Sequence, residues 1–442
     1  MTPDDSEAAL PSPQLAAPRS GAWTTVAILT LLYWLGTLDR QIAALLVPQI
    51  KTDLSLTDFQ VSLIQGLAFG GMYMLASPLV GWLVDAWSRR WLLLAGVGGW
   101  SVSASLSGLA TSFGQLFAAR AGVGGLEATI NPIAYSLISD MFPPRKLALP
   151  ISIYVLGGNL GSGVSFLAGG AVMAWLAASP LPALPFVGHL ASWQMAFLIT
   201  GLPGLILAPL ALFMRDPARS GATGKPASGY GELFRHVRRN WGFYLAHNLG
   251  FAVIMAFVVG LQSWNAAYIV RAFHWKLSSV GFAIGSAQLL ASISGLAVHG
   301  WLVDRWYASG RHDAHLRYFT IMSLLALPCA VGAYLVPNAI AMLVLYNLSY
   351  FFVMAFASIG PAALQIATPG HLRGKASSIY MIMLTILGSI LGPMFVAAIT
   401  DFGFGDEARL GHSLAVFGGT ACLLAAILFT LGQAPMRRLA KG

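Results

Sequence analysis

Gly81-Trp82-Leu83-Val84-Asp85-Ala86-Trp87 recurs as Gly300-Trp301-Leu302-Val303-Asp304-Arg305-Trp306, with six of seven positions identical at an offset of 219 residues. The offset is about half of a 442-residue chain, so the sequence is built twice. Each copy closes an apolar run of about 20 residues, the length a helix needs to cross a bilayer. Each also meets a basic patch, Arg89 and Arg90 in the first case, Arg305 and Arg311 in the second. Only 9% of the residues are charged and 57% are hydrophobic, whereas a soluble domain carries about 25% charged residues. The chain therefore reads as an all-α polytopic membrane protein.

Counting apolar runs outward from these two stretches predicts twelve transmembrane helices. They fall near 22–47, 59–83, 91–111, 113–141, 147–177 and 194–214, then 241–268, 278–302, 317–336, 339–366, 373–400 and 411–433. The longest polar stretch, 215–240, holds Pro217, Gly221, Gly224, Pro226 and Gly229 and ends on a basic run from Arg235 to Arg239. It reads as a cytoplasmic linker between two six-helix bundles, 22–214 and 241–433. Residues 1–21 and 434–442 read as cytoplasmic tails, the first disordered and without the basic start of a signal peptide. With the N-terminus inside, 19 of the 25 basic residues face the cytoplasm, so the positive-inside rule puts both termini there. Loop topology thus accounts for the net charge of +9, and no nucleic-acid partner is expected. Parallel repeats of six spans imply bundles related by a pseudo-two-fold axis along the membrane normal, with the site between them.

Charges inside the apolar runs are few. Arg120-Ala121-Gly122-Val123-Gly124-Gly125-Leu126-Glu127 lies in the fourth span, and Asp39 and Arg40 lie in the first. A charge in hydrocarbon costs at least about 2.5 kcal/mol on insertion scales, so it needs a partner, water or a purpose. Seven residues separate Arg120 from Glu127, roughly two turns, which puts both on one helix face. Counting 1.5 Å per residue along antiparallel spans sets Asp39, Arg40 and Arg120 at nearly one depth, with Glu127 about 10 Å deeper. With the first and fourth spans side by side, which depth does not itself determine, Asp39 would pair with Arg120 and Glu127 would reach Arg40. Glu127, with Asp39, is the candidate for proton coupling. Arg40 and Arg120 are the candidates for an anionic headgroup, because guanidinium matches phosphate with a bidentate fork. A fixed salt-bridge network that only sets helix packing is the alternative for the quartet. The second half carries no intramembrane charge, only amides such as Gln262, Gln288 and Gln365 among Phe, Met and Leu. Gly122, Gly124, Gly157, Gly161, Gly392 and Pro393 are candidate close-packing positions.

A glycine, three residues, an aspartate and then basic residues between spans 2 and 3, repeated between spans 8 and 9, resembles the signature loop of the major facilitator superfamily. Ala86 and Ser88 stand where the family has a basic residue and a glycine. The resemblance implies a latch in which Asp85 pairs with Arg89, with Arg90 nearby. Gly81, Gly300, Asp304 and Arg305 complete the two gate motifs. Within the superfamily, Leu38-Asp39-Arg40, Arg120 through Gly122, Gly124, Glu127, Ala128, Ser139-Asp140-Met141-Phe142 and Gly161-Ser162-Gly163 resemble the spinster branch, with a departure at Gly125-Leu126. Its animal members move sphingosine-1-phosphate and lysophospholipids.

The resulting expectation is a secondary transporter working by alternating access and driven by a proton gradient, with no cofactor and no metal. Its substrate is an amphiphilic anionic lipid; a small organic or sugar-phosphate anion, or multidrug export, is the alternative. It is expected to be a monomer among membrane lipids in a bacterial inner membrane. An enzyme is not expected, because no His-Glu-x-x-His, no Gly-x-Ser-x-Gly and no paired His/Asp are present, and His247, His299 and His371 are scattered. Cys329 and Cys422 are spaced for neither a metal nor a disulfide framework.

Overall fold

The computed structural model of the protein describes residues 18–143, 146–179, 188–217 and 230–439. Most of the expected N-terminal tail and the middle of the linker lie outside the described residues. Twelve long helical stretches stand out among the described residues. The first half holds α1 (Ala22–Leu45), α2 (Asp58–Ala86), α3 (Arg89–Ser107), α4 (Phe113–Glu127 continuing as Ile130–Met141), α5 (Ala148–Ala178) and α6 (Ser192–Phe213). The second holds α7 (Trp241–Phe273), α8 (Leu277–Ala308), α9 (Ala314–Gly332), α10 (Ala339–Ala367), α11 (Arg373–Phe404) and α12 (Leu410–Leu439).

Among the described residues, nine of the helices are each long and apolar enough to cross a membrane. The other three, α1, α3 and α4, are the ones diluted by polar residues. Asp39 and Arg40 interrupt α1, and α3 starts on two arginines and holds four serines. In α4 the Thr129 hydroxyl bonds back to the Leu126 carbonyl at 2.8 Å, where the helix breaks into two segments.

Several helices outrun their apolar cores. Apolarity stops where charge begins, whereas a helix needs only its backbone bonds. Thus α7 runs on past 268 to include Arg271, and α8 past 302 to include Asp304 and Arg305. Likewise α12 continues to Leu439, so 434–439, expected as tail, are helical. The basic end of the linker is also a helix, Tyr230–Arg239.

The contacts carry the two-fold relation. Moving each helix number up by six turns the pairs α1/α5, α3/α6 and α2/α4 into α7/α11, α9/α12 and α8/α10, and all six pairs pack together. The seams between halves obey the same rule: α5 packs on α8, α2 on α11, and α1 on α7. The seam α2/α11 is drawn tight by glycine, since a Cβ on Gly66 would lie 2.6 Å from the Ile390 carbonyl. Both helices are π-helical there, over Leu63–Gly71 and Leu384–Ile390, a local widening often found at functional sites. The α5/α8 seam closes the same way, with Gly170 against Gly281 and Gly163 against Gly285.

Candidate functional site: a charged central cavity and its locks

Between the halves lies a cavity of about 360 Å³. Its first-half wall includes Tyr33, Thr37, Arg40, Phe69, Tyr73 and Arg120. The second-half wall is formed by Met255, Val258, Gln262, Tyr350, Met354 and Phe356. One wall is charged and the other carries amides and hydroxyls among apolar side chains.

The four intramembrane charges form two ion pairs between α1 and α4. Arg120 Nη1 meets Asp39 Oδ2 at 2.5 Å, and Arg40 Nη1 meets Glu127 Oε1. Asp39, Arg120 and Glu127 are 3% exposed or less, whereas the Arg40 side chain keeps 30% of its surface open. Of the four charges, Arg40 is therefore the most open. Arg40 also donates to the Thr37 hydroxyl at 3.2 Å. The Phe69 ring lies between both guanidinium groups, 5.4 Å from Arg40 and 6.0 Å from Arg120. Cation–π contact of this kind is worth about 2 kcal/mol when desolvated.

Glycines make room for this arrangement. A Cβ on Gly36 would sit 2.8 Å from Glu127 Oε1, so only glycine at this position leaves the carboxylate its place beside α1. A Cβ on Gly124 would strike the Phe69 carbonyl, and one on Gly122 would come within 2.7 Å of the Ser103 hydroxyl. Gly157 and Gly161 meet Thr30 and Trp34 of α1, and Gly392 meets the Ala256 carbonyl at 2.7 Å. The Pro393 carbonyl accepts from the Trp264 indole at 3.0 Å. Gly36 escaped the sequence reading; its position one turn before Asp39-Arg40 was the available signal.

At the end bearing the termini, the expected latch is not formed. Asp85 is exposed and makes no ion pair with Arg89. The turn between α2 and α3 is extended at Trp87 and Ser88, which sends the two side chains apart. Arg89 is instead fully buried within its own half. It bonds Asp140 at 2.5 Å, Asp216 at 2.7 Å, the Ser136 hydroxyl at 2.9 Å and the Pro217 carbonyl at 2.6 Å. Arg90 makes no ion pair among the described residues, and a Cβ on Gly81 or Gly300 would meet open space. In the second copy Asp304 is exposed, and Arg305 lies over the Trp301 ring at 5.4 Å.

Burial by itself raises the Asp216 carboxyl, but hydrogen bonds and charge from Arg89 outweigh it and hold the group below the usual carboxylate range. The stabilisation is present above the ordinary value of about 4 and is lost as pH falls through the lower folded value. Asp216→Asn is therefore expected to lower stability by about 1–2 kcal/mol at pH 7. Thermal unfolding across pH is the check, and the gap from wild type should close below about pH 4.

At the opposite end a charged lock joins the halves, and sequence reasoning missed it. Asp58, fully buried at the start of α2, accepts two bonds from Arg271 of α7 at 2.7 and 2.8 Å. Lys51 bonds Asp58 at 2.5 Å and Glu407 of the second half at 2.6 Å. Asp401 of α11 accepts from the Phe59 backbone at 2.7 Å. The available signal was the capping box of Thr57 and Gln60, which marks Asp58 as a helix-start acid. These bonds tie the two halves together at this end.

An MFS-type efflux pump of Mycolicibacterium smegmatis is 27% identical over 425 residues, spanning 94% of each chain. Protein spinster of Drosophila melanogaster is 26% identical over 411 residues, spanning 89% of this chain and 64% of that protein. The crystal structure of a bacterial homologue of the human lysosomal transporter spinster, inward-facing and unoccupied, superposes with a TM-score of 0.78 at 22% identity. That match covers 96% of this chain and 98% of the other, and it shows a shared fold. The sequence model of the Major Facilitator Superfamily matches residues 29–393. Because that match runs from within α1 into α11, this integral membrane protein belongs to the major facilitator superfamily.

Proposed function

We propose that the protein is a secondary active transporter that moves an anionic amphiphile, such as a lysophospholipid or a sphingoid phosphate, by proton-coupled alternating access. It works in a bacterial inner membrane with both termini in the cytoplasm, the side favoured by its basic residues. The observation that carries this reading is the half-open Arg40 at the cavity wall, paired with a Glu127 that is shut away from solvent. An anionic headgroup arriving at Arg40 competes with Glu127 for the guanidinium. A carboxylate deprived of its cation in an apolar wall takes up a proton instead. Anion and proton then load together, and the cluster stays neutral on balance. The lock at Asp58 corresponds to a state open toward the cytoplasm. The apolar side chains Met255, Val258, Met354 and Phe356 provide the surface for an acyl tail.

A small polar anion is the second reading, favoured by Gln262, Ser263, Thr385 and Ser389 on the same wall. Proteoliposomes with an imposed pH gradient separate the two. Lysophospholipid, sphingosine-1-phosphate and a small organic anion are offered to wild type and to Glu127→Gln. Gradient-driven lysolipid movement that falls at least about tenfold in the variant is expected, as for loss of a charge-assisted partner. Movement of the small anion alone overturns the lipid reading. Lysolipid movement indifferent to both the gradient and the variant overturns proton coupling and leaves Glu127 a structural group.

A further inference from the structure

A groove of about 400 Å³ lies between the start of α7 and the end of α12, well away from the central cavity. Small residues make its floor. Gly242 and Pro435 lie opposite each other, with a Cβ on Gly242 falling 3.4 Å from the Pro435 ring, and Ala246 meets Gly432 one turn deeper. Larger residues make its walls: Leu245 and Leu431 stand exposed on either side, and Trp241 is 65% exposed at the mouth. Both helices are apolar enough to cross a membrane, so the mouth sits where the hydrocarbon meets the headgroups.

Two arginines line the groove at that level, Arg239 and Arg438. Both are exposed, and neither makes an ion pair with any described residue. Their neighbour Arg437 differs, since it reaches Asp313 at 3.5 Å. A solvated pair of arginines alone would be ordinary. Here the cations top a slot with leucine walls, and long apolar side chains border it instead of burying one another. The charge calls for an anion, and the walls call for a chain attached to it. Basic pockets between helices at a membrane surface hold anionic lipid headgroups in this way.

We infer that this groove is a binding site for an anionic phospholipid, its phosphate between Arg239 and Arg438 and one acyl chain along Leu245 and Leu431. The site is separate from the transport cavity and independent of the substrate proposed above.

Native mass spectrometry of the purified full-length protein tests this, with phosphatidylglycerol and phosphatidylcholine of matched chains added to the detergent. Wild type is expected to retain one phosphatidylglycerol in preference to phosphatidylcholine. Arg239→Ala/Arg438→Ala should hold it roughly twenty-five-fold more weakly, at about fivefold for each charge lost at a membrane surface. Lys276→Ala/Arg409→Ala, an equal change of charge at the other end, should leave retention as in wild type. Leu245→Gln/Leu431→Gln should weaken retention with both arginines in place. Equal retention of the two lipids, or unchanged retention in the double arginine variant, overturns the inference. So does full displacement of the lipid by millimolar inorganic phosphate, which would make the groove a site for phosphate without a chain. Thermal midpoints of all variants, expected within a few degrees of wild type, separate loss of the lipid from loss of the fold.

Discussion

Asp39→Ala is expected to prevent accumulation of folded protein. Arg120 is 3% exposed and, among the described residues, has Asp39 as its one ion partner, at 2.5 Å. Removing one member of a buried pair leaves an uncompensated charge, which destabilises by about 3–5 kcal/mol. The Phe69 and Phe197 rings remain near the guanidinium, at 6.0 and 5.9 Å. Those contacts are already made in the intact pair, so they replace none of the lost charge. Deleting both charges gives the opposite result: Asp39→Leu/Arg120→Met should recover most of the stability, because replacing a buried pair by apolar side chains is close to neutral. Folded yield and thermal midpoint in detergent are the measurements. A single variant as stable as wild type would mean that Arg120 finds another partner, and the pairing of α1 with α4 would need revision.

The second large effect is conformational. Asp58→Asn removes the carboxylate that both Arg271 and Lys51 bond, and it leaves Arg271 with only the charges of Glu407 and Asp401 nearby, neither bonded to it. Charge-assisted bonds contribute about 1.5–3 kcal/mol each, so losing them is expected to shift the balance between closed and open at this end by about 3 kcal/mol. That is roughly a hundredfold in population. Gln65 lines the cavity between the lock and the charged cluster and serves as a reporter. With Cys329 and Cys422 replaced by serine or alanine, a cysteine in place of Gln65 should react slowly with a membrane-impermeant maleimide added from the Asp58 side. The same reporter in the Asp58→Asn background should react many-fold faster. Equal rates would show that apolar contacts such as Phe59 against Phe402, 5.3 Å apart, hold this end shut without the charges.

Arg89 marks the boundary between what a local pattern can tell and what it cannot. By resemblance, its position after Asp85 marked it as the partner of Asp85 in a latch, a pair the structure does not form. Its partners are Asp140, 51 residues on, and Asp216, 127 residues on. Nothing in the spacing of Asp85 and Arg89 reports the extended turn that parts them. The lock behaves the same way: Asp58 and Arg271 are 213 residues apart and in different halves. Lys51, Arg271 and Glu407 read in sequence only as loop charges.

The duplication, the twelve helices and the identity of the four intramembrane charges were legible along the chain, because each rests on a local rule. Apolar length sets a span, and a fixed rise per residue sets depth. Depth gave the levels, and the family resemblance gave the neighbourhood of the first and fourth spans; together they foresaw Arg120 against Asp39 and Arg40 against Glu127. Tertiary structure alone decided that Arg40 opens to the cavity while Glu127 does not, that Gly36 clears the space for that carboxylate, and that the halves lock through Asp58. Those outcomes depend on how helices far apart in sequence rotate and approach one another. That is a matter of packing between faces, and no periodicity within a single helix encodes it.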